Sequence, residues 1–230
     1  MLKKHVFPKL SSPLILRTTR VCSLIEIKPG SDPMCPILFT KWTDIIEKHA
    51  KPGVEIEMRL GRTAGRGFDT NVGASIFGKV LESLGKYSGW EETRHTNSTI
   101  YYFGNNKRLT IDENTDEQMG QIKKRICVDD FSLDTAPLDI RLGVSSEEPF
   151  EYDGEETSTE QKTKERWSFV RKNLSIDMTI VKGNPDDKDS DDDTNYQIEL
   201  EIIDPTKIKN KIEIYNILHK VFDVMKLISV

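Results

Sequence analysis

Two stretches of this chain alternate carboxylates with aliphatic residues. In Val54-Glu55-Ile56-Glu57-Met58-Arg59-Leu60-Gly61 the aliphatic and thioether side chains fall at even numbers and the charged ones at odd numbers. An extended strand here carries one greasy face and one ionic face. Gln197-Ile198-Glu199-Leu200-Glu201-Ile202 repeats the arrangement. A lone Glu-x-Glu strand is most simply a surface strand with its acids in water. Two such strands change the weighing. If they are neighbours in a barrel, Glu55, Glu57, Glu199 and Glu201 converge, and like charges that close repel unless a cation neutralises them. Carboxylate oxygens without His or Cys nearby select a hard ion, Mg²⁺ or Mn²⁺.

The basic counterpart is Lys162-Thr163-Lys164-Glu165-Arg166-Trp167-Ser168-Phe169, which sets Lys162, Lys164, Arg166 and Ser168 on one strand face and Trp167 and Phe169 on the other. Gln121-Ile122-Lys123-Lys124-Arg125-Ile126 adds Lys123 and Arg125, while Asp139-Ile140-Arg141-Leu142 and Lys107-Arg108-Leu109 add Arg141 and Arg108. Each alone reads as a solvated face, but solvent strands seldom concentrate one sign so heavily. An interior holding both sets buries charge at great cost unless metal and phosphate satisfy them. The expectation is an inverted barrel, polar inside and apolar outside under a covering of helices.

Other chemistries find less support. Cys22, Cys35 and Cys127 have no metal-like or redox spacing, and none is followed five residues on by the Arg a cysteine-dependent phosphatase loop needs, so reduced thiols in an intracellular protein are expected. The four histidines are scattered. Gly61-Arg62-Thr63-Ala64-Gly65-Arg66-Gly67 lacks the Gly-Lys-Ser/Thr ending of a phosphate loop and reads as a strand-to-helix link. No apolar run reaches the ~20 residues of a membrane span.

The elements that must position these groups follow from periodicity. Helical spacing of apolar residues marks 37–50, 72–87 and 207–227. Eight alternating segments read as strands, about 54–61, 93–103, 106–113, 120–128, 138–146, 162–170, 174–182 and 195–204. Their connections, including Asp129-Asp130 and the acidic run after Glu147, suit antiparallel turns. The fold class expected is α+β, mainly β: an eight-stranded antiparallel barrel with a polar interior, flanked by helices.

The 230 residues suit one domain over 37–230 behind an arm over 1–36; residues 1–25 hold lysines and arginines and no acid, which superficially fits a transit peptide but is read as an ordinary N-terminal arm. Hydrophobic content of 36% against 31% charged fits a folded chain with many polar positions inside. The net charge of -5 is concentrated in solvated loops: 183–195 carries -5 and 147–161 carries -7, so -5 + 5 + 7 leaves +7 elsewhere, compatible with phosphate binding.

With the paired acidic strands and the intervening Lys-x-Lys-x-Arg, the chain resembles the triphosphate tunnel metalloenzymes over about Trp42 to Ile203. Within them it is most similar to the RNA 5′-triphosphatases of fungal and large-DNA-virus mRNA-capping systems. The resemblance implies that Glu55, Glu57 and Glu201 bind Mg²⁺ or Mn²⁺ and that Glu199 orients the attacking water. It implies that Lys162, Lys164 and Arg166 hold the phosphates, with Arg125 and Arg141 as further clamps and Arg59 in the phosphate-binding set. Asp112, Glu147 and Asp177 look like family positions, and Lys123 and Arg108 are further candidates.

The implied activity removes the γ-phosphate of triphosphate-ended RNA as the first step of capping, with free NTPs also hydrolysed and a guanylyltransferase as partner, in the same polypeptide or apart. A monomer is expected, in the virion or host cytoplasm if viral and in the nucleus if cellular. The chain departs from the pattern at Gln197, where the fungal enzymes carry the first of three Glu, and at Ile180, where a basic residue is expected. It shows no counterpart of the fungal guanylyltransferase-binding segment, which favours the viral branch. Other readings are a tunnel enzyme acting on tripolyphosphate or nucleoside triphosphates, and a non-catalytic phosphate- or RNA-binding module.

Overall fold

A computed structural model describes residues 34–65, 67–132, 136–183 and 194–228. Most of the expected N-terminal arm and of the Asp-rich run lies outside the described residues. Among the latter, nine strands form one sheet: β1 (Val54–Ala64), β2 (Gly67–Asp69), β3 (Glu92–Tyr102), β4 (Lys107–Asp112), β5 (Gln118–Phe131), β6 (Asp139–Pro149), β7 (Glu160–Arg171), β8 (Leu174–Lys182) and β9 (Thr194–Ile202). The order is β2-β1-β6-β5-β4-β3-β7-β8-β9, and an additional pairing of β1 with β9 closes eight strands into an antiparallel barrel with β2 as an extra ribbon on β1.

The strands are amphipathic in the inverted sense the sequence suggests. Ile56, Met58 and Leu60 of β1, Ile140, Leu142 and Val144 of β6, Ile176 and Met178 of β8, and Ile198, Leu200 and Ile202 of β9 are all buried, yet they line the outside of the barrel. What buries them is a layer of helices: α1 (Met34–His49), α2 (Ala74–Gly85) and α3 (Lys211–Ile228). Leu38, Trp42 and Ile46 of α1, Phe77, Val80 and Leu84 of α2, and Ile214, Leu218, Val221 and Met225 of α3 recur every three or four residues, so each helix turns one stripe inward. Phe77 meets Trp167 and Tyr196 edge-on or tilted, and Phe39 of α1 meets Tyr215 of α3. Burying each such side chain contributes about 1.5–3 kcal/mol. The apolar stabilisation of this fold therefore lies between barrel and helices and leaves the interior to polar groups.

Three connections differ from expectation. Asp129-Asp130 is no turn: β5 runs through both to Phe131. The glycine-rich segment after Gly61 is a hairpin, with Thr63 opposite Phe68, and not a simple link. The acidic run after Glu147 is no hairpin either. Four strand-to-strand steps separate β6 from β7, so the two run in the same direction and residues 150–159 must cross outside β5, β4 and β3. The crossing is pinned by Phe150 N–H donating to Gly120 O, by Thr159 N–H donating to Tyr102 O, by Tyr152 against Phe103 (centroids 5.2 Å apart) and by Lys107 with Glu156. A Cβ on Gly120 would stand 2.3 Å from the Phe150 carbonyl oxygen, so only glycine lets the segment lie this close. The helix expected from Lys207 begins four residues later, at Lys211, because Pro205–Lys207 forms a separate 3-10 turn whose Asp204 carboxylate accepts from Thr206 N–H.

Candidate active site

Side chains on strands separated by one intervening strand can touch only on the concave side of a barrel, so such contacts define the interior. Lys123 of β5 ion-pairs with Glu55 of β1 across β6, Arg108 of β4 with Glu147 of β6 across β5 (2.7 Å), and Arg166 of β7 with Glu199 of β9 across β8 (3.3 Å). The register fixes the rest. Glu57 stands opposite Glu201, Arg59 opposite both Glu199 and Arg141, and Glu199 opposite Asp177. Alternation along each strand then brings Glu55, Glu57 and Arg59, Lys123, Arg141 and Glu147, Lys164 and Arg166, Asp177, and Glu199 and Glu201 into one channel.

Within it the charges are unevenly matched. Arg59 bonds both Glu57 (2.8 Å) and Glu199 (2.8 Å). Arg166 donates to Thr179 Oγ1 (3.0 Å), Asp177 (3.2 Å) and Glu199, while Ser175 Oγ donates to Asp177 (2.6 Å). Burial works to raise the Glu199 carboxyl, but Arg59, Arg166 and Lys164 outweigh it and hold that group down at about 2. It is an ionised strut between two guanidinium groups.

Glu57 and Glu201 differ in kind. Burial, then repulsion by Glu199 and Glu55, pushes Glu57 up to about 7 despite Arg59. Burial, then repulsion by Glu55 and Asp177, pushes Glu201 up to about 7. Burial works to raise the Glu55 carboxyl, but Lys123 outweighs it and Ser145 Oγ also donates to it (2.9 Å), so the group stays below its ordinary range. On the basic side, burial and then the neighbouring Arg166 lower Lys164 to about 8.

The three expected metal ligands thus project from adjacent positions on β1 and β9, although among the described residues no trio of acidic, histidine or cysteine side chains is gathered into a coordination cluster. Lys123 and Arg59 hold Glu55 and Glu57 instead. The donor set still fits a hard cation, since Glu57 and Glu201 are carboxylates short of positive charge and carry no competing nitrogen or sulfur. A cavity of about 290 Å³ opens beside Glu55, Glu147 and Glu201, and one of about 420 Å³ beside Glu57, Arg59, Lys123, Arg125 and Arg141.

Other expected groups take different places. Arg125 lines the larger cavity but is exposed, and Lys162, on the same face of β7 as Lys164, ion-pairs with Glu160 (2.8 Å). Arg141 is held by Asp130. Asp112 is a turn residue: its carboxylate accepts from the N–H groups of Asn114 and Thr115 and closes the β4–β5 connection. No basic contact is missing at residue 180. Ile180 pairs with Glu165 and Tyr196 on the outer face and packs against the apolar layer, while Thr179 beside it faces inward. Ser145, Ser175 and Thr179 carry no charge, so only inward parity marks them in the sequence, and Asp130 has the composition of a turn although it lies on β5.

The sequence finds its relatives where this geometry points. The profile of the family described as mRNA capping enzyme, beta chain, matches residues 94–228. No curated protein matches. Among solved structures, the chain is similar to the RNA triphosphatase Pct1 of S. pombe (19% identity, TM-score 0.64, covering 91% of this chain and 93% of that one). It is also similar to the RNA triphosphatase domain of a trifunctional mimivirus mRNA capping enzyme (18% identity, TM-score 0.58, covering 83% and 95%). At these identities the likeness shows a common fold, whereas the profile spans more than half of the chain: this protein belongs to the mRNA capping enzyme beta-chain family of RNA triphosphatases.

Proposed function

We propose that this chain is a divalent-cation-dependent polynucleotide 5′-triphosphatase that removes the γ-phosphate from triphosphate-ended RNA as the first step of mRNA capping. The observation that carries the proposal is the pairing, within one channel, of carboxylates short of positive charge (Glu57 and Glu201, both near 7) with a buried amine short of negative charge (Lys164, near 8). A cation and a polyphosphate together relieve both.

Glu55, Glu57 and Glu201 would hold Mg²⁺ or Mn²⁺, which when bound supplies charge neutralisation at the γ-phosphoryl oxygens. Arg59, Lys164 and Arg166 hold the phosphates in line, and Lys123, paired with Glu55 and Glu147, is a further cation of the channel. Glu199 accepts a hydrogen bond from the attacking water and orients it; at about 2 its basicity is too low for it to take the proton before attack. Water oxygen bonds to Pγ as the bond from Pγ to the β-bridging oxygen breaks; the β-phosphate leaves with that electron pair, and the water's proton passes to an oxygen of the departing inorganic phosphate. The diphosphate end is the acceptor a guanylyltransferase needs, so such an enzyme is the expected partner, linked or separate.

The test is release of labelled γ-phosphate from triphosphate-ended RNA and from inorganic tripolyphosphate, with Mg²⁺, with Mn²⁺ and with chelator. Release from RNA that requires the cation and disappears in Glu55→Ala, Glu57→Ala and Glu201→Ala is expected. Preference for tripolyphosphate would move the substrate to a small molecule, and cation-independent release would end the metal assignment.

A further inference from the structure

Arg141 stands in the channel directly opposite Arg59 on the neighbouring strand, an arrangement of like charges that is unfavourable unless each is balanced separately. Glu57 and Glu199 balance Arg59. Asp130 balances Arg141: it is the direct cross-strand partner on β5, and its carboxylate accepts from Nε at 2.6 Å and from Nη2 at 2.8 Å in a two-pronged pair.

That Asp130 faces inward at all depends on a bulge. The β5–β6 register shifts between Arg125 and Cys127, so Ile126 is the extra residue. Before it odd-numbered residues such as Lys123 face the channel; after it even-numbered ones do. The two consecutive aspartates are thereby divided. Asp129 points outward, where it accepts from Trp42 Nε1 and ion-pairs with Lys41 of α1 (3.0 Å), and Asp130 points in.

A second element closes on the same guanidinium. The ring of Phe68, on β2, lies 4.6 Å from the Arg141 guanidinium carbon. The hairpin reaches this position because residue 61 is glycine: a Cβ there would meet Asp69 O at 2.2 Å and Phe68 Cε1 at 2.4 Å. Thr63 N–H, donating to Asp139 Oδ2 at 2.8 Å, ties the hairpin to the start of β6.

We propose that Asp130 and Phe68 are positioning residues that lock Arg141 as a phosphate clamp of the channel. With Nε and one Nη2 hydrogen engaged by Asp130, three of the five guanidinium N–H groups remain to meet phosphate oxygens, and they do so from one fixed orientation. The proposal rests on the triphosphatase reading only for the identity of the phosphate carrier.

Two measurements test it: calorimetric binding of inorganic tripolyphosphate in chelator, and steady-state kinetics on triphosphate-ended RNA. Asp130→Asn keeps the shape and removes the charge. It is expected to weaken tripolyphosphate binding and raise KM by about tenfold with kcat within about twofold, since one lost charge-assisted bond is worth on the order of a factor of ten. Phe68→Leu is expected to raise KM by roughly threefold, and Phe68→Tyr to restore it. In an Arg141→Ala background neither substitution changes binding or KM further. Full-sized effects of Asp130→Asn in that background, or unchanged binding and KM in the single variant, would overturn the proposal. Tripolyphosphate binding that responds as expected in a protein releasing no phosphate from RNA would leave the clamp standing and remove the proposed activity.

Discussion

Glu201 allows a direct test of the idea that this channel holds acids in wait for a cation. Its carboxyl is raised from 4.5 to about 7, and no cation among the described residues ion-pairs with it. For an acid whose folded value is raised, the unfolded chain releases its proton first. Stability is therefore lost as pH climbs from 4.5 towards 7 and stays lost above that. At about 1.4 kcal/mol per pH unit, the charge of Glu201 costs the metal-free fold about 3 kcal/mol at pH 8. Glu201→Gln keeps the side chain's size and removes that cost. In a chain of this length, where 1 kcal/mol moves the melting temperature by roughly 2–4 °C, the variant should melt roughly 6–12 °C above wild type in chelator at pH 8. The gain should vanish at pH 4.5. Added Mn²⁺ should raise the melting temperature of wild type and leave the variant unmoved, because a ligand stabilises only the form that binds it. The assay is a pair of thermal melts at two pH values, with and without metal. A Glu201→Gln protein that melts at or below the wild-type temperature at pH 8 refutes the electrostatic argument, whatever its activity.

Glu199 should behave oppositely. Held at about 2 by Arg59 and Arg166, it contributes stability that is present above 4.5 and lost as pH falls towards 2, so Glu199→Gln should cost about 3–5 kcal/mol at neutral pH, read in the same melts. A neutral or stabilising outcome would mean that the two arginines have other partners. Lys164, lowered to about 8, keeps its charge below that pH and loses it above; kcat/KM on triphosphate-ended RNA should fall by up to about tenfold per pH unit beyond 8, and Lys164→Arg should flatten the fall. Identical pH profiles would remove Lys164 from substrate binding. Gly120→Val forces a Cβ against the Phe150 carbonyl and should lower stability by about 1–3 kcal/mol in urea melts, with no change expected if residues 150–159 do not cross there.

What the sequence made legible follows from period 2. A strand with every aliphatic on one side and every charge on the other declares that its faces meet different surroundings, so β1, β7 and β9 and their inward residues could be read directly. Periodicity does not say which strands are neighbours. The β1–β9 pairing that sets Glu57 against Glu201 joins segments more than 140 residues apart, and the resemblance supplied it where local pattern could not. Parity also fails silently at a bulge. Asp129-Asp130 has turn-like composition, and only the extra residue at Ile126 shows that one aspartate anchors α1 while the other holds Arg141. Asp112 differs the other way: it lies on a strand and resembles a site residue, while its Oδ1 accepts from the N–H groups of Asn114 and Thr115 in the next turn.

The placement of the apolar core explains how such an interior persists. In a conventional barrel the inward residues provide the stability, and a mismatched charge there competes with packing. Here Ile56, Met58, Leu142, Met178 and Leu200 are buried on the outer wall against α1, α2 and α3, so folding is driven by a layer that the channel does not share. The interior can then hold Glu57 and Glu201 raised and Lys164 lowered at the same time. These groups depart from their ordinary values in the directions that reduce charge. A cation beside the two acids and a polyanion beside the amine would restore all three to the charged form, so each ligand should improve the site for the other. Metal titrations with and without tripolyphosphate would measure that coupling, and affinities unaffected by the second ligand would show that the acidic and basic halves of the channel act independently.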